Sequence, residues 1–185
     1  MARVTLVDER THPQLADVIS RIAGARQGRL INVYRLLLNS PAIASAWVEF
    51  NTAVRLSSGL DARTRELAII RVAIVNRTEY IFRAHVPGYA REAGLTDAQV
   101  EGLFEWETSS AFDPRDRAVL AYVDAMTREI EVPDTVFEAV RQHFDEARTV
   151  ELTVLVGAYN MHSRVVRALR IDPEPAWDMA AARWR

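Results

Sequence analysis

Residues 60–75 read LDARTRELAIIRVAIV, and this stretch decides the fold. Asp61 is a residue type favoured immediately before a helix. From Leu67 to Val75 every side chain except that of Arg71 is apolar. A helix that is apolar on all sides is a buried helix. The stretch therefore predicts a central, buried helix at about residues 62–76, with Glu66 as a carboxylate in otherwise dry surroundings.

The rest of the chain also has a helical pattern. It contains only 7 glycines and 7 prolines, and no alternating apolar run is bounded by a hairpin turn. Pro87 lies inside a helix predicted from Glu79 to Gly94, so we expect a kink or a break there. We predict an all-α, compact multi-helix fold with one domain over residues 1–170 and a C-terminal tail over 171–185. Trp177 and Trp184 in this tail are expected to dock on a neighbouring subunit or on the domain itself.

Composition narrows the classes of function. The chain has 185 residues, a net charge of −2 and no cysteine. Its basic residues are dispersed, which argues against a nucleic-acid partner. Without cysteine there is no disulfide, no thiol nucleophile and no cysteine-ligated metal. The N-terminal stretch lacks the apolar segment of a signal peptide, and no apolar run approaches the ~20 residues that span a bilayer. We therefore expect a cytoplasmic protein that does not bind membranes.

A second stretch, residues 78–87, reads TEYIFRAHVP. Thr78, Ile81 and His85 share one helical face there. Histidine, with an ordinary pKa of about 6.5, suits proton transfer, although a lone histidine on an apolar face is more often a core residue. Glu66 must be paired, or its pKa must rise. A simple salt bridge with a neighbouring arginine is the plain alternative.

The two stretches together resemble the carboxymuconolactone decarboxylase and alkylhydroperoxidase D superfamily, most strongly over residues 60–103. The peroxidase branch of that superfamily carries Glu, then Cys-x-x-Cys, then His. Glu66 and His85 match this pattern, whereas Thr78 and Ile81 occupy the two thiol positions. The resemblance implies an all-helical fold, the catalytic pair Glu66 and His85, and a homo-oligomer that is a trimer, a hexamer or a dimer. Because thiol peroxidase chemistry needs a thiolate, we predict that this activity is absent.

The remaining site residues are predicted around this pair. Tyr80 is a candidate to hydrogen-bond a substrate, and Thr78 and Ile81 to line its site. Arg71 could anchor a substrate carboxylate, or it could form a structural ion pair. No zinc-protease motif, phosphate-binding glycine loop or dinucleotide fingerprint occurs, so we expect neither a metal nor a cofactor.

Three functions remain open. The first is a cofactor-independent acid–base enzyme of the decarboxylase type, a lyase that acts on a small carboxylated or lactone substrate. The second is a non-catalytic helical oligomer that binds a ligand or a partner. The third is a peroxide-linked role that the superfamily resemblance alone suggests.

Overall fold

A computed structural model of the protein describes residues 1–26, 28–175, 177 and 184. These residues form helices and connecting loops and include no β-strand. The α-helices are α1 (Ala16–Gly24), α2 (Asn32–Leu37), α3 (Pro41–Thr52), α4 (Ala62–Val75), α5 (Glu79–His85), α6 (Asp97–Gly102), α7 (Pro114–Arg128), α8 (Asp134–Arg141) and α9 (Glu146–Ala168). Short 3₁₀ turns lie at Pro13–Leu15 and Leu103–Glu105. None of the described helices combines the length and the apolar character needed to cross a membrane.

Helix α4 is the centre of the fold, as its apolar pattern predicts. All residues from Glu66 to Ala73 are buried. The helix packs against α5, α7 and α9, which enclose it on several sides. Burial of one large aliphatic side chain contributes about 1.5–3 kcal/mol, so α4 is a major source of the stability of the domain. Its position also fixes Glu66 inside the protein.

Side-chain caps fix the starts of four helices. The Asp61 side chain accepts a hydrogen bond from the Thr64 backbone N–H (2.9 Å) at the start of α4. Thr96 caps α6 in a reciprocal capping box, and Asp113 and Asp145 cap α7 and α9. Such caps satisfy backbone donors that have no partner within the helix, and each contributes about 1 kcal/mol.

Two π-helical segments interrupt the regular helices. Ala53–Ser57 continues α3, and Val86–Ala90 continues α5 and contains Pro87. The break expected at Pro87 is therefore present as a wider helical turn, which accommodates a residue that has no backbone N–H to donate. Helical turns of this width occur mostly as single turns, often at functional sites.

The C-terminal segment returns across the N-terminal part of the chain. The Glu174 carboxylate accepts a hydrogen bond from the Asn32 backbone N–H (2.6 Å) at the start of α2. Trp177 lies edge-on against Tyr80, with ring centroids 5.0 Å apart. Trp184 packs against Phe82 at 5.2 Å. Both tryptophans thus contact the domain itself. The amphipathic end expected around them lies mostly outside the described residues.

Candidate active site

Glu66 on α4 and His85 at the end of α5 meet in the interior. His85 Nδ1 lies 2.6 Å from Glu66 Oε2, and both side chains are almost fully buried. Glu66 Oε1 also lies 3.9 Å from Arg65 Nε, a longer and weaker ion pair. Because a carboxylate can only accept, Nδ1 carries the proton of a neutral His85. The other ring nitrogen, Nε2, then carries a lone pair and acts as an acceptor.

The Tyr159 hydroxyl on α9 lies 3.3 Å from this nitrogen. Burial, the first cause, raises the pKa of Tyr159. The hydroxyl therefore keeps its proton and donates a hydrogen bond to Nε2. Glu66, His85 and Tyr159 thus form a hydrogen-bonded relay. Glu66 fixes the tautomer of His85, and the Tyr159 hydroxyl contacts the reactive nitrogen Nε2.

Electrostatics set the charge of the pair. Burial lowers the pKa of His85 below its usual value of 6.5, and the opposing charge of Glu66 does not fully compensate. Burial alone would raise the pKa of Glu66, but His85, Arg55 and Arg65 together bring this pKa below its usual value. The resting pair is thus a neutral imidazole beside an ionised carboxylate. The buried Glu66 carboxylate is stabilised by its hydrogen bond with His85 and by the nearby arginines, and its pKa is not raised.

A cavity of about 220 Å³ adjoins His85. An apolar cavity of about 150 Å³ already holds benzene, so this volume admits a molecule with one ring and a small polar group. The wall includes Arg26, Arg29 and Arg55, and the described lining residues include no aspartate or glutamate. The cavity therefore favours an anionic guest.

One of the three cationic side chains of the cavity, that of Arg55, is positioned by the π-helical segments. Arg55 lies in the first of them and Tyr89 in the second. The Arg55 guanidinium carbon lies 4.7 Å from the centroid of the Tyr89 ring, a cation–π contact. Although burial acts against the charged form, nearby groups, chiefly Tyr159 and Glu66, raise the pKa of Arg55, so it stays charged.

A second histidine on α9, His162, completes the wall. Trp47 Nε1 donates a hydrogen bond of 2.7 Å to His162 Nε2. Burial, assisted by the proximity of His85 and by the charges of Arg55 and Arg26, lowers the pKa of His162 to about 3. His162 is therefore neutral, with its proton on Nδ1. The Tyr159 ring contacts both histidine rings, with centroid distances of 5.5 Å to His85 and 5.2 Å to His162.

The substrate-contacting residues suggested by the sequence have different locations. Tyr80 and Ile81 line the cavity, whereas Thr78 and Arg71 do not. The Tyr80 hydroxyl is engaged with the Val33 backbone N–H and the Glu174 carboxylate, each at 3.2 Å. Burial, followed by Glu174, raises the pKa of this hydroxyl. Tyr80 thus presents its ring, and not a free hydroxyl, to a guest molecule.

Arg71 forms the structural ion pair that was the alternative to a substrate contact. Its Nε and Nη2 each lie 2.6 Å from an Asp124 carboxylate oxygen, and its Nη1 donates to the Leu103 carbonyl at 2.7 Å. Thr78 is buried at the start of α5, with its hydroxyl 3.4 Å from the Asn76 carbonyl. Neither side chain is placed to contact a molecule in the cavity.

Sequence reasoning did not identify the arginines, His162 or Tyr159 as site residues. One signal was present for His162, which follows Leu155 by seven residues and Tyr159 by three and so shares their inward face. For Arg55 no local signal existed. Among the described residues, no group of three or more His, Cys, Asp or Glu side chains is arranged to hold a metal ion.

Comparison with known proteins identifies the family. The carboxymuconolactone decarboxylase family matches residues 41–125. A solved protein of unknown function from Agrobacterium tumefaciens, for which a role as the antioxidant defence protein AhpD has been suggested, is 30% identical. That alignment covers 75% of this chain and 95% of the other, with a TM-score of 0.71. The chain belongs to the carboxymuconolactone decarboxylase family and has the AhpD-like all-α fold, and it lacks cysteine.

More distant structures support the fold. An uncharacterised peroxidase-related protein from Ralstonia eutropha, described as an alkylhydroperoxidase AhpD core, is 20% identical. It aligns over 97% of this chain and 96% of its own length with a TM-score of 0.82. A cysteine-to-alanine variant of the debrominase Bmp8, solved with 2,3,4-tribromopyrrole, is 18% identical over 95% of each chain with a TM-score of 0.75. At these identities the likeness concerns the fold alone.

Proposed function

We propose that the protein is a cofactor-independent acid–base enzyme that acts on a small carboxylated or lactone substrate, in the manner of a decarboxylase. The observation that carries this proposal is the 2.6 Å contact between Glu66 and His85 beside the cavity. Glu66 holds the Nδ1–H tautomer, and Nε2 is left for proton transfer. A carboxylate that orients a histidine in this way also stabilises the imidazolium that forms during catalysis.

A decarboxylation fits these groups without a cofactor. The bond between the substrate carbon and its carboxylate breaks, CO₂ leaves, and the electron pair remains in the conjugated carbonyl system of the substrate. The carbon then takes a proton from His85 Nε2. Entry of an anion raises the pKa of a nearby histidine, so the bound substrate itself promotes protonation of His85. Glu66 stabilises the resulting imidazolium.

The experiment is a survey of lactone acids and aromatic hydroxy acids in D₂O, in which CO₂ release and deuterium incorporation are followed by mass spectrometry. We expect turnover of at least one substrate, with one deuterium at the carbon that lost CO₂. His85→Gln should lose this activity by a factor of about 100 or more while keeping its circular dichroism spectrum. His143→Gln, which removes an exposed imidazole, is the matched control. Full activity in His85→Gln would reject the proposal.

We predict that the protein has no thiol peroxidase activity. Thr78 and Ile81 stand at the thiol positions, and Ile81 presents an aliphatic side chain to the cavity. With a hydroperoxide and a dithiol reductant, we expect consumption no faster than without protein. A protein-dependent rate that His85→Gln removes would show a cysteine-independent peroxidase.

A second candidate function, a non-catalytic helical oligomer, is favoured by one observation. Several large apolar side chains are exposed on α3 and α9, among them Ile43, Val150 and Val154. Scattered exposed apolar residues are common, but Val150 and Val154 lie four residues apart on one face of α9, and apolar residues grouped on an exposed face are typical of a subunit interface. We expect light scattering after gel filtration to give a dimer, trimer or hexamer, and Val150→Glu with Val154→Glu to shift it towards monomer. A wild-type monomer would contradict this assembly.

A further inference from the structure

The buried polar atoms without a partner are concentrated at the cavity. Among the described residues, six buried side-chain nitrogen or oxygen atoms have no hydrogen-bond partner, and four of them belong to residues that line this cavity. These four are Arg26 Nη2, Arg55 Nε, Asn51 Oδ1 and His162 Nδ1. Leaving a buried polar atom unpaired costs about 1–3 kcal/mol. Such a concentration indicates a place where a ligand supplies the missing partners.

The chemical character of the four atoms defines what the ligand must offer. Arg26 Nη2 and Arg55 Nε carry protons and can only donate. Asn51 Nδ2 donates to the Trp47 carbonyl at 2.9 Å, which assigns the unpaired Oδ1 as an acceptor. His162 Nδ1 is assigned by its neighbour: because Trp47 occupies Nε2 as a donor, the proton of the neutral ring must lie on Nδ1. The cavity therefore presents three unpaired donors and one unpaired acceptor.

We infer that Arg55 and His162 bind the carboxylate of the substrate, that Arg26 supports them, and that Trp47 positions His162 by fixing its tautomer. The inference rests on the proposed function, in which His85 protonates the substrate carbon. It adds the groups that hold the carboxylate attached to that carbon, and these groups line the same cavity as His85. The fitting ligand class is a carboxylate with a single ring, because the volume of about 220 Å³ leaves little more room.

The two histidines thereby take different parts. His85 has its Nδ1–H paired with Glu66, and its Nε2 lone pair has only a long 3.3 Å contact with the Tyr159 hydroxyl, so this nitrogen accepts and returns a proton. His162 has its lone pair engaged by Trp47 and exposes an N–H, so it binds an oxygen without transferring a proton. Tyr159 contacts both rings. The cavity thus combines unpaired donors for a carboxylate with a histidine that can transfer a proton.

Binding of benzoate, compared with the neutral isostere benzamide, tests the inference without any turnover. We expect isothermal titration calorimetry to detect benzoate and to show binding of benzamide at least tenfold weaker. Loss of a hydrogen bond to a charged group weakens binding about tenfold or more, so Arg55→Gln should bind benzoate at least tenfold less tightly. Arg55→Lys is the second variant in case the glutamine protein does not fold, and it should bind with intermediate affinity. Arg164→Gln, at an exposed arginine, is the control.

The roles of His162 and Trp47 are tested by locating the proton on the His162 ring. His162→Gln removes the donor at Nδ1 and should weaken benzoate binding, whereas His162→Asn places an amide near that position and should restore part of it. Nitrogen-15 shifts of the imidazole should show a protonated Nδ1 in the wild type and a mixture of tautomers in Trp47→Phe.

The outcomes separate this inference from the proposed function. His85→Gln should bind benzoate within about threefold of wild type even where turnover is lost. The inference is overturned if the wild type shows no binding at about 10 mM benzoate, a concentration that detects even weak ligands. It is also overturned if benzamide binds as tightly as benzoate, or if Arg55→Gln and Arg55→Lys both bind benzoate as the wild type does.

Discussion

His162 should make the stability of the protein fall between pH 7.5 and pH 5. Burial lowers the pKa of His162 from 6.5 to about 3. Stability rises with pH wherever the unfolded chain binds more protons than the folded one. Between these two pKa values the unfolded chain takes a proton on His162 and the folded protein does not. Its contribution is therefore complete above pH 6.5 and is lost progressively as the pH falls towards 3.

The size of the effect follows from the same pKa values. At pH 5, which is about 1.5 pH units below the ordinary pKa of histidine, protonation of His162 stabilises the unfolded state by about 2 kcal/mol, because each pH unit corresponds to about 1.36 kcal/mol. At pH 7.5 the gain is close to zero. The pKa of Glu66 lies below its usual value, because His85, Arg55 and Arg65 outweigh burial, so this carboxylate stays ionised over the interval from pH 7.5 to pH 5. His85, whose pKa is also lowered, adds a loss of the same sign that a His162 variant retains.

The perturbation is His162→Gln, which keeps an acceptor for the Trp47 indole N–H but does not titrate. Urea unfolding at pH 7.5 and pH 5.0 gives the free energy of unfolding of each protein at each pH. We expect the wild type to lose about 2 kcal/mol more than His162→Gln over this interval. His143→Gln, an exposed histidine, controls for the removal of any imidazole. Equal losses in wild type and His162→Gln would show that His162 is not held neutral by burial.

Two further predictions concern the framework around the site. Arg71→Gln leaves the partly buried Asp124 carboxylate without its main partner and should lower the free energy of unfolding, measured by urea denaturation, by about 3–5 kcal/mol. Arg91→Gln, in an exposed ion pair, should change it by less than about 1 kcal/mol. Equal effects of the two substitutions would contradict the structural role of Arg71. Glu174→Ala removes the acceptor of the 2.6 Å hydrogen bond from the Asn32 backbone N–H. The rate of tryptic cleavage after the exposed Arg170, followed by mass spectrometry, should then increase by about tenfold or more. An unchanged rate would show that Glu174 does not hold the C-terminal segment.

The sequence predicted most of what depends on local chemistry. The apolar pattern of residues 67–75 was sufficient to place α4 at the centre, because no other position buries all its sides. Asp61 marked the start of α4, because a cap acts on a backbone N–H two or three residues away. The resemblance to a known superfamily brought Glu66 and His85 together, and the structure places their side chains in contact.

The cationic side of the cavity could not be predicted in the same way. Arg26, Arg55 and His162 come from three distant parts of the chain, and nothing in their local sequence shows that they face a common space. The orientation of Arg55 depends on a π-helical turn, which has no reliable sequence signal. Arg71 illustrates the converse, because a conspicuous charge in an apolar helix was open to two interpretations and its partner lies 53 positions along the chain.

The wide turn at Ala53–Ser57 makes the cavity sensitive to chain length as well as to side-chain identity. Each residue of a regular helix advances the next by about 100°, so deletion of the exposed Ala53 would rotate Arg55 relative to the helix before it while leaving every side chain of the wall unchanged. A single-codon deletion there would thus remove the cation from the cavity as effectively as replacing it. Relatives with one residue fewer in this turn would be expected to accept uncharged molecules instead.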